Sequence, residues 1–168
     1  LSAANLNEFE LANQVVNKLN EMVGASPHSV QNKQVYLEVA ALTLHKQSIN
    51  QPIVDVAKRQ QAIELINEAI TLKEQQLPPN GAATPLKPVH ELAAEMMLEM
   101  GMAEEAAGLF EVSLQRLKNR PWSLLGAAQS YVKLSESGKA SDKYHALLAV
   151  WSDDSHGAVQ EAKRYLNY

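Results

Sequence analysis

The sequence predicts an all-α protein built from antiparallel helix pairs, and three observations predict it. Apolar residues recur at three- and four-residue intervals through most of the chain. Ala, Leu, Glu, Gln and Met, all good helix formers, are abundant. The seven glycines and seven prolines gather at breaks between the periodic runs rather than inside them. About eight helices and no strand follow from that punctuation.

The elements follow in order. Asn5 to Val23 reads as one amphipathic helix (5–23), with Leu6, Phe9, Val16, Leu19 and Val23 on its apolar face and the first four residues frayed. Gly24-Ala25-Ser26-Pro27 ends it. From Val30 to Gln47 the apolar residues leave little polar surface, as in a helix covered on most sides. Ile49-Asn50-Gln51-Pro52 breaks the chain before a long helix from Ile53 to Gln75, where Ile63, Ile66, Ala69 and Ile70 keep helical spacing. Leu77–Lys87, LPPNGAATPLK, cannot continue it, because Pro78, Pro79 and Pro85 remove donors and Asn80-Gly81 favours a turn. That stretch reads as a tolerated surface insertion, with a binding loop or a strap across the helices as alternatives.

Pro88 can open a helix, since the N–H it lacks would be unpaired there. Leu92, Ala93, Met96, Met97 and Met100 continue it, and Gly101 interrupts as a C-cap residue does. Ala106, Leu109, Phe110, Ser113, Leu114 and Leu117 mark the partner helix, closed by Asn119-Arg120-Pro121. Trp122-Ser123-Leu124-Leu125-Gly126 opens the next helix, and Lys139–Ser152 is its partner, with Tyr144, Leu147, Leu148 and Trp151 facing in. A short helix at 156–166 carries Val159, Ala162, Tyr165 and Leu166 to seal the open end. Helix pairs at 30–75, 88–118 and 121–152, flanked by 5–23 and 156–166, make a single domain over 1–168. The opening Leu1-Ser2-Ala3 reads as the start of a fragment of a longer protein.

Composition removes several functions. There is no cysteine, so disulfides, thiolate catalysis and Cys-based metal sites are excluded, while the choice between cytoplasm and an exported compartment stays open. The net charge of −4 with no basic stripe argues against nucleic acid. No apolar run approaches the ~18 residues a membrane span needs. The five histidines are scattered without the spacing of a ligand pair, and no nucleophile elbow, phosphate loop or dinucleotide fingerprint is present. The methionines at 96, 97, 100 and 102 read as core filling rather than a soft-metal site. No catalytic residue, metal site or cofactor is expected.

Two pairs carry the strongest pattern. Ala106 with Phe110 and Ala140 with Tyr144 are each an alanine followed four residues later by an aromatic, and 140 − 106 = 34. With Trp122-x-x-Leu125-Gly126, this resembles the tetratricopeptide repeat family, whose units span about 34 residues. His90, Ala93, Ala94 and Met97 then stand at the family's Trp, Leu, Gly and Tyr positions in the first unit. In the second, Gln129 takes the Tyr position and the inter-helix turn comes out longer. Ala62 and Ile66 suggest a third, divergent unit. The run from Leu77 to Leu92 also resembles a junction in certain bacterial members of the family.

The resemblance implies a right-handed superhelical stack of helix pairs, an α-solenoid whose first helices line a concave groove. Carried over residue by residue, the groove positions fall on Glu91, Glu95, Leu98 and Glu99, and on Ser123, Ala127, Ser130 and Tyr131; Glu38 and His45 are candidates on the Val30–Gln47 helix. Glu91, Glu95 and Glu99 lie four apart and stack along one helix face, which fits a basic partner or an ordinary solvated face. The implied function is a non-catalytic scaffold that binds a protein or peptide. The alternative is a structural module that forms homo-oligomers as the C-terminal part of a larger protein.

Overall fold

The computed structural model describes residues 1–23, 29–76 and 87–167, and these contain helices and no strand. In order they are α1 Ser2–Asn5, α2 Phe9–Met22, α3 Ser29–Ile49, α4 Val56–Glu74, α5 Val89–Glu99, α6 Ala103–Arg116, α7 Pro121–Lys133, α8 Ser137–Val150 and α9 Gly157–Leu166. The chain divides into two compact units, Leu1–Val89 and His90–Tyr168. The 24–27 break and the 77–86 part of the proline-rich connection lie outside the described residues. Among the described residues no helix is long and apolar enough to cross a membrane.

In the first unit, α2 packs on α3 and α3 on α4, while α1 touches both α2 and α3. α2 buries the Ala12 side of its apolar face. It runs antiparallel to α3: Asn32 Nδ2 donates to the Met22 carbonyl (3.4 Å) and Gln47 Nε2 to Asn13 Oδ1 (3.1 Å). In α3 the consecutive residues from Leu37 to Thr43 are all buried, as a helix apolar on most sides should be. Ala62, Ile66 and Ala69 of α4 sit at helical spacing on its buried face. α4 begins at Val56 rather than Ile53, because the Asp55 carboxylate accepts the Lys58 N–H (3.1 Å) and caps the helix. Ile53 is left exposed in the preceding bend.

The expected first helix is split. Residues 2–5 are helical rather than frayed, and Asn7 breaks the run with φ 60°. Asn tolerates this left-handed conformation better than most residues. The break is a helix-ending turn. The Leu6 N–H donates to the Ser2 carbonyl (3.0 Å), Asn7 to Ala4 (3.2 Å), Glu8 to Ala3 (2.9 Å) and Ala12 to Glu8 (2.9 Å).

The second unit uses the same turn twice. Between α5 and α6, Met100 donates to Met96 (3.0 Å), Gly101 to Leu98 (3.1 Å), Met102 to Met97 (2.9 Å) and Ala106 to Met102 (3.0 Å). Between α7 and α8, Leu134 donates to Ser130 (3.0 Å), Ser135 to Val132 (3.0 Å), Glu136 to Tyr131 (2.9 Å) and Ala140 to Glu136 (3.0 Å). Every donor and acceptor is displaced by the same interval, 135 − 101 = 34. The left-handed residue is Gly101 (φ 80°) in one turn and Ser135 (φ 60°) in the other. The α7–α8 turn is therefore no longer than the α5–α6 turn, contrary to the sequence expectation. Ser135→Gly is expected to raise stability by about 0.5–1 kcal/mol, read as a shift in urea midpoint, because glycine takes this conformation without a Cβ penalty.

Each second helix presents the same face inward. Ala106, Phe110 and Ser113 on α6 and Ala140, Tyr144 and Leu147 on α8 are all buried. α7 lies against both α6 and α8, and α9 against α8. Gly126 of α7 faces the Phe110 ring so closely that a Cβ there would stand 2.1 Å from Cζ. Ala158 and Ala162 of α9 join Leu124, Leu125, Tyr144 and Leu147 in one buried cluster. α9 is capped by His156, whose Nδ1 accepts the Ala158 N–H (3.2 Å).

Candidate functional site

Glu91 anchors a buried polar cluster in the second unit. It sits in the first turn of α5 with no exposed surface. Arg120, just ahead of α7, grips it with two hydrogen bonds, Nε to Oε2 (2.6 Å) and Nη2 to Oε1 (2.9 Å). The Ser123 hydroxyl donates to Oε2 (2.6 Å) and also lies 2.9 Å from the Ser113 hydroxyl of α6. Three helices are thus tied through one carboxylate. The hydrogen bonds to Glu91 hold the Arg120 guanidinium above its ordinary pKa against the opposing effect of burial, and the charges of Glu91 and Glu95 add to the rise. A bidentate, charge-assisted pair of this kind positions helices. Its carboxylate oxygens are occupied by the chain itself.

The residues assigned to a groove from sequence differ in exposure. Glu91, Glu38, His45, Ser123, Ala127, Ser130 and Tyr131 are buried, Glu95 and Leu98 are half-buried, and Glu99 is exposed. The continuous acidic stripe is broken at Glu91, whose charge is matched by Arg120. Burial lifts the Glu38 carboxyl above the ordinary value, while the hydrogen bond from Gln34 Nε2 (2.8 Å) and the charge of Lys73 pull it back. Ser130 turns its hydroxyl onto the Gly126 carbonyl (2.8 Å).

The register of α7 differs from the one read from its Trp122 motif. The two turns put α5 and α7 in correspondence at their shared interval, so Ala94 matches Ala128 and Met97 matches Tyr131, all buried. Trp122-x-x-Leu125-Gly126 lies two positions out of that register, and Trp122 itself is 46% exposed. It stands edge-on to Trp151 (5.3 Å) and His156 (5.7 Å) at one end of the unit. The α7 counterparts of Glu95, Leu98 and Glu99 are then Gln129, Val132 and Lys133. Val132 and Lys133 are exposed, and the half-buried Gln129 donates to both oxygens of Glu161 (3.0 and 3.1 Å). Sequence reasoning did not match these three α7 residues with Glu95, Leu98 and Glu99, nor place Arg120 against Glu91. Applying the Ala106-to-Ala140 interval to Glu95, Leu98 and Glu99 would have found the three.

Tyr131 belongs to a different surface. An open groove of about 540 Å³ runs along α6 and α8, with Leu114, Leu124 and Ala146 among its apolar lining and Glu111, Lys139 and Lys143 among its charges. Glu111 accepts from the Tyr131 hydroxyl (2.9 Å) and from Lys143 (2.8 Å), and Lys139 lies 5.1 Å over the Tyr131 ring. Burial, then the Glu111 hydrogen bond, push the Tyr131 phenol up to about 12. Tyr144, whose hydroxyl donates to Glu161 (2.6 Å), is raised for the same two reasons. Both phenols thus have folded pKa values above the unfolded value of about 10. Their contribution to stability is complete below pH ~10 and lost as pH climbs through the folded values. The melting temperature is expected to fall steeply between pH ~10 and ~12, and Tyr131→Phe to flatten that fall.

Among the described residues no group of three or more His, Asp or Glu side chains is placed to hold a metal ion. No family model, no curated protein and no solved structure matches the chain.

Proposed function

We propose that this protein is a non-catalytic binding module of the helical-repeat kind, which holds a segment of another protein against the first helices of its second unit. One observation carries the reading: the turn at Gly101 and the turn at Ser135 share every backbone hydrogen bond at one constant interval. Equal turns and equally buried second-helix faces are what tetratricopeptide-type units need to stack into a superhelical row. Such a row offers an extended surface rather than a closed pocket, and its first helices would line it.

On that surface the contact residues are Glu95, Leu98 and Glu99 of α5 with Gln129, Val132 and Lys133 of α7. Leu98 shares α5 with two carboxylates one helical turn apart, Glu95 and Glu99, and Val132 holds the equivalent place on α7. The partner is a peptide segment with an apolar side chain next to a basic one. Panning a displayed peptide library against the protein is expected to enrich such segments, and Glu99→Lys with Val132→Asp to weaken them at least about tenfold, some 1.4 kcal/mol. No enrichment, or unchanged binding by a variant of native circular dichroism, would sink the reading.

A second reading, a self-associating structural module, is favoured by one feature: exposed apolar side chains along α2.

A further inference from the structure

α2 has two apolar faces, and the described residues cover only one. Phe9, Ala12, Val16 and Leu19, none of them exposed, form the face turned to the rest of the first unit. The other face carries Leu11 at 48%, Val15 at 40% and Met22 at 44% exposure, with Leu6 at 70% in the turn just before it. Glu8, Leu11, Val15, Lys18 and Met22 are spaced at alternating steps of three and four, the seam of a two-helix coil. Its two charges are of opposite sign and flank the apolar pair. Lys18 makes an exposed ion pair with Glu21 (3.1 Å), 75% and 68% exposed on the two sides. Such a pair holds weakly and lets the ammonium turn to another carboxylate.

We infer that this face pairs with the same face of a second copy, α2 against α2 and antiparallel, across a two-fold axis. In that alignment Leu11 of each protomer meets Val15 of its partner, and Glu8 of each meets Lys18 of its partner. Both contacts occur twice, as an isologous interface requires. Met22 of each copy then points at the turn that exposes Leu6 in the other. The charge order chooses the direction, since a parallel pairing would set Glu8 against Glu8 and Lys18 against Lys18. The interface is one helix wide, smaller than a standard stable interface, so it forms a weak, concentration-dependent dimer. The inference uses only the first unit, and the peptide-binding surface only the second, so the two fail separately.

Sedimentation velocity over a concentration series tests it. The wild type is expected to show a monomer–dimer equilibrium that weakens with salt. Leu11→Asp with Val15→Asp is expected to leave a monomer at every concentration, with circular dichroism unchanged because both side chains are on the uncovered face. Glu8→Lys and Lys18→Glu, each alone, are expected to raise the dissociation constant roughly tenfold or more, and together to restore it to within about threefold. A wild type that stays monomeric to millimolar concentration overturns the inference. A dimer indifferent to Leu11→Asp with Val15→Asp, or a charge swap that fails to restore, overturns it as well.

Discussion

Replacing Arg120 with methionine is expected to cost about 4–5 kcal/mol, the largest effect of any single substitution considered. The cause is what is left behind: Glu91 has no exposed surface, and Ser123 alone would remain to satisfy its carboxylate. Glu91→Ala should cost less, about 3 kcal/mol, because Arg120 keeps 30% of its side chain exposed and can hydrate the orphaned guanidinium. Glu91→Leu with Arg120→Met should recover most of the loss, since an apolar pair of similar volume leaves no buried charge unpaired. Both tryptophans, Trp122 and Trp151, lie in the second unit, so their fluorescence in urea reports on it directly. A midpoint shift with an unchanged slope would show a change in stability rather than in compactness. A double-mutant cycle that finds no coupling between the two positions would contradict the account of this pair.

Gly126→Ala is expected to destabilise by about 1–3 kcal/mol, although alanine is the better helix former by about 1 kcal/mol. The added carbon would stand 2.1 Å from Phe110 Cζ and 2.5 Å from Cε1 and Cε2. Phe110 is fully buried, so its ring cannot swing into solvent to make room. α6 and α7 would have to separate. Phe110→Leu in the Gly126→Ala background should return part of the loss, while Phe110→Leu alone should cost about 1 kcal/mol or more through the cavity it leaves. If Gly126→Ala instead stabilised the protein in urea, the close approach of α6 and α7 would be refuted.

Much of the helical order was legible because it is written locally. Apolar spacing within a few turns set the second helices, Gly101 marked one turn, and Ala106 and Ala140 carried the interval between them. The failures share one physical origin: they depend on partners far along the chain. Glu91, Glu95 and Glu99 share a helix face and look like a solvated stripe, and nothing near Glu91 announces that Arg120 will bury it. The Trp122-to-Gly126 match lies two positions off the interval shared by the two turns, and Ala127, Ser130 and Tyr131, named from it, are buried. Ser135 concealed a turn that glycine would have marked, because a serine in the left-handed region is set by hydrogen bonds around it, not by its own preference. Asn7 hid the same turn at the start of the chain.

The central claim is that α5–α6 and α7–α8 are one structural unit used twice. The chain has no cysteine, so spin labels can be placed without background. Glu99 and Arg116 are exposed at the ends of α5 and α6, and Lys133 and Val150 occupy the equivalent places at the ends of α7 and α8. Electron–electron dipolar distances measured for the 99/116 and 133/150 cysteine pairs are predicted to coincide. Means that differ by more than one helical turn, about 5 Å, would contradict the repeat and the binding surface built on it.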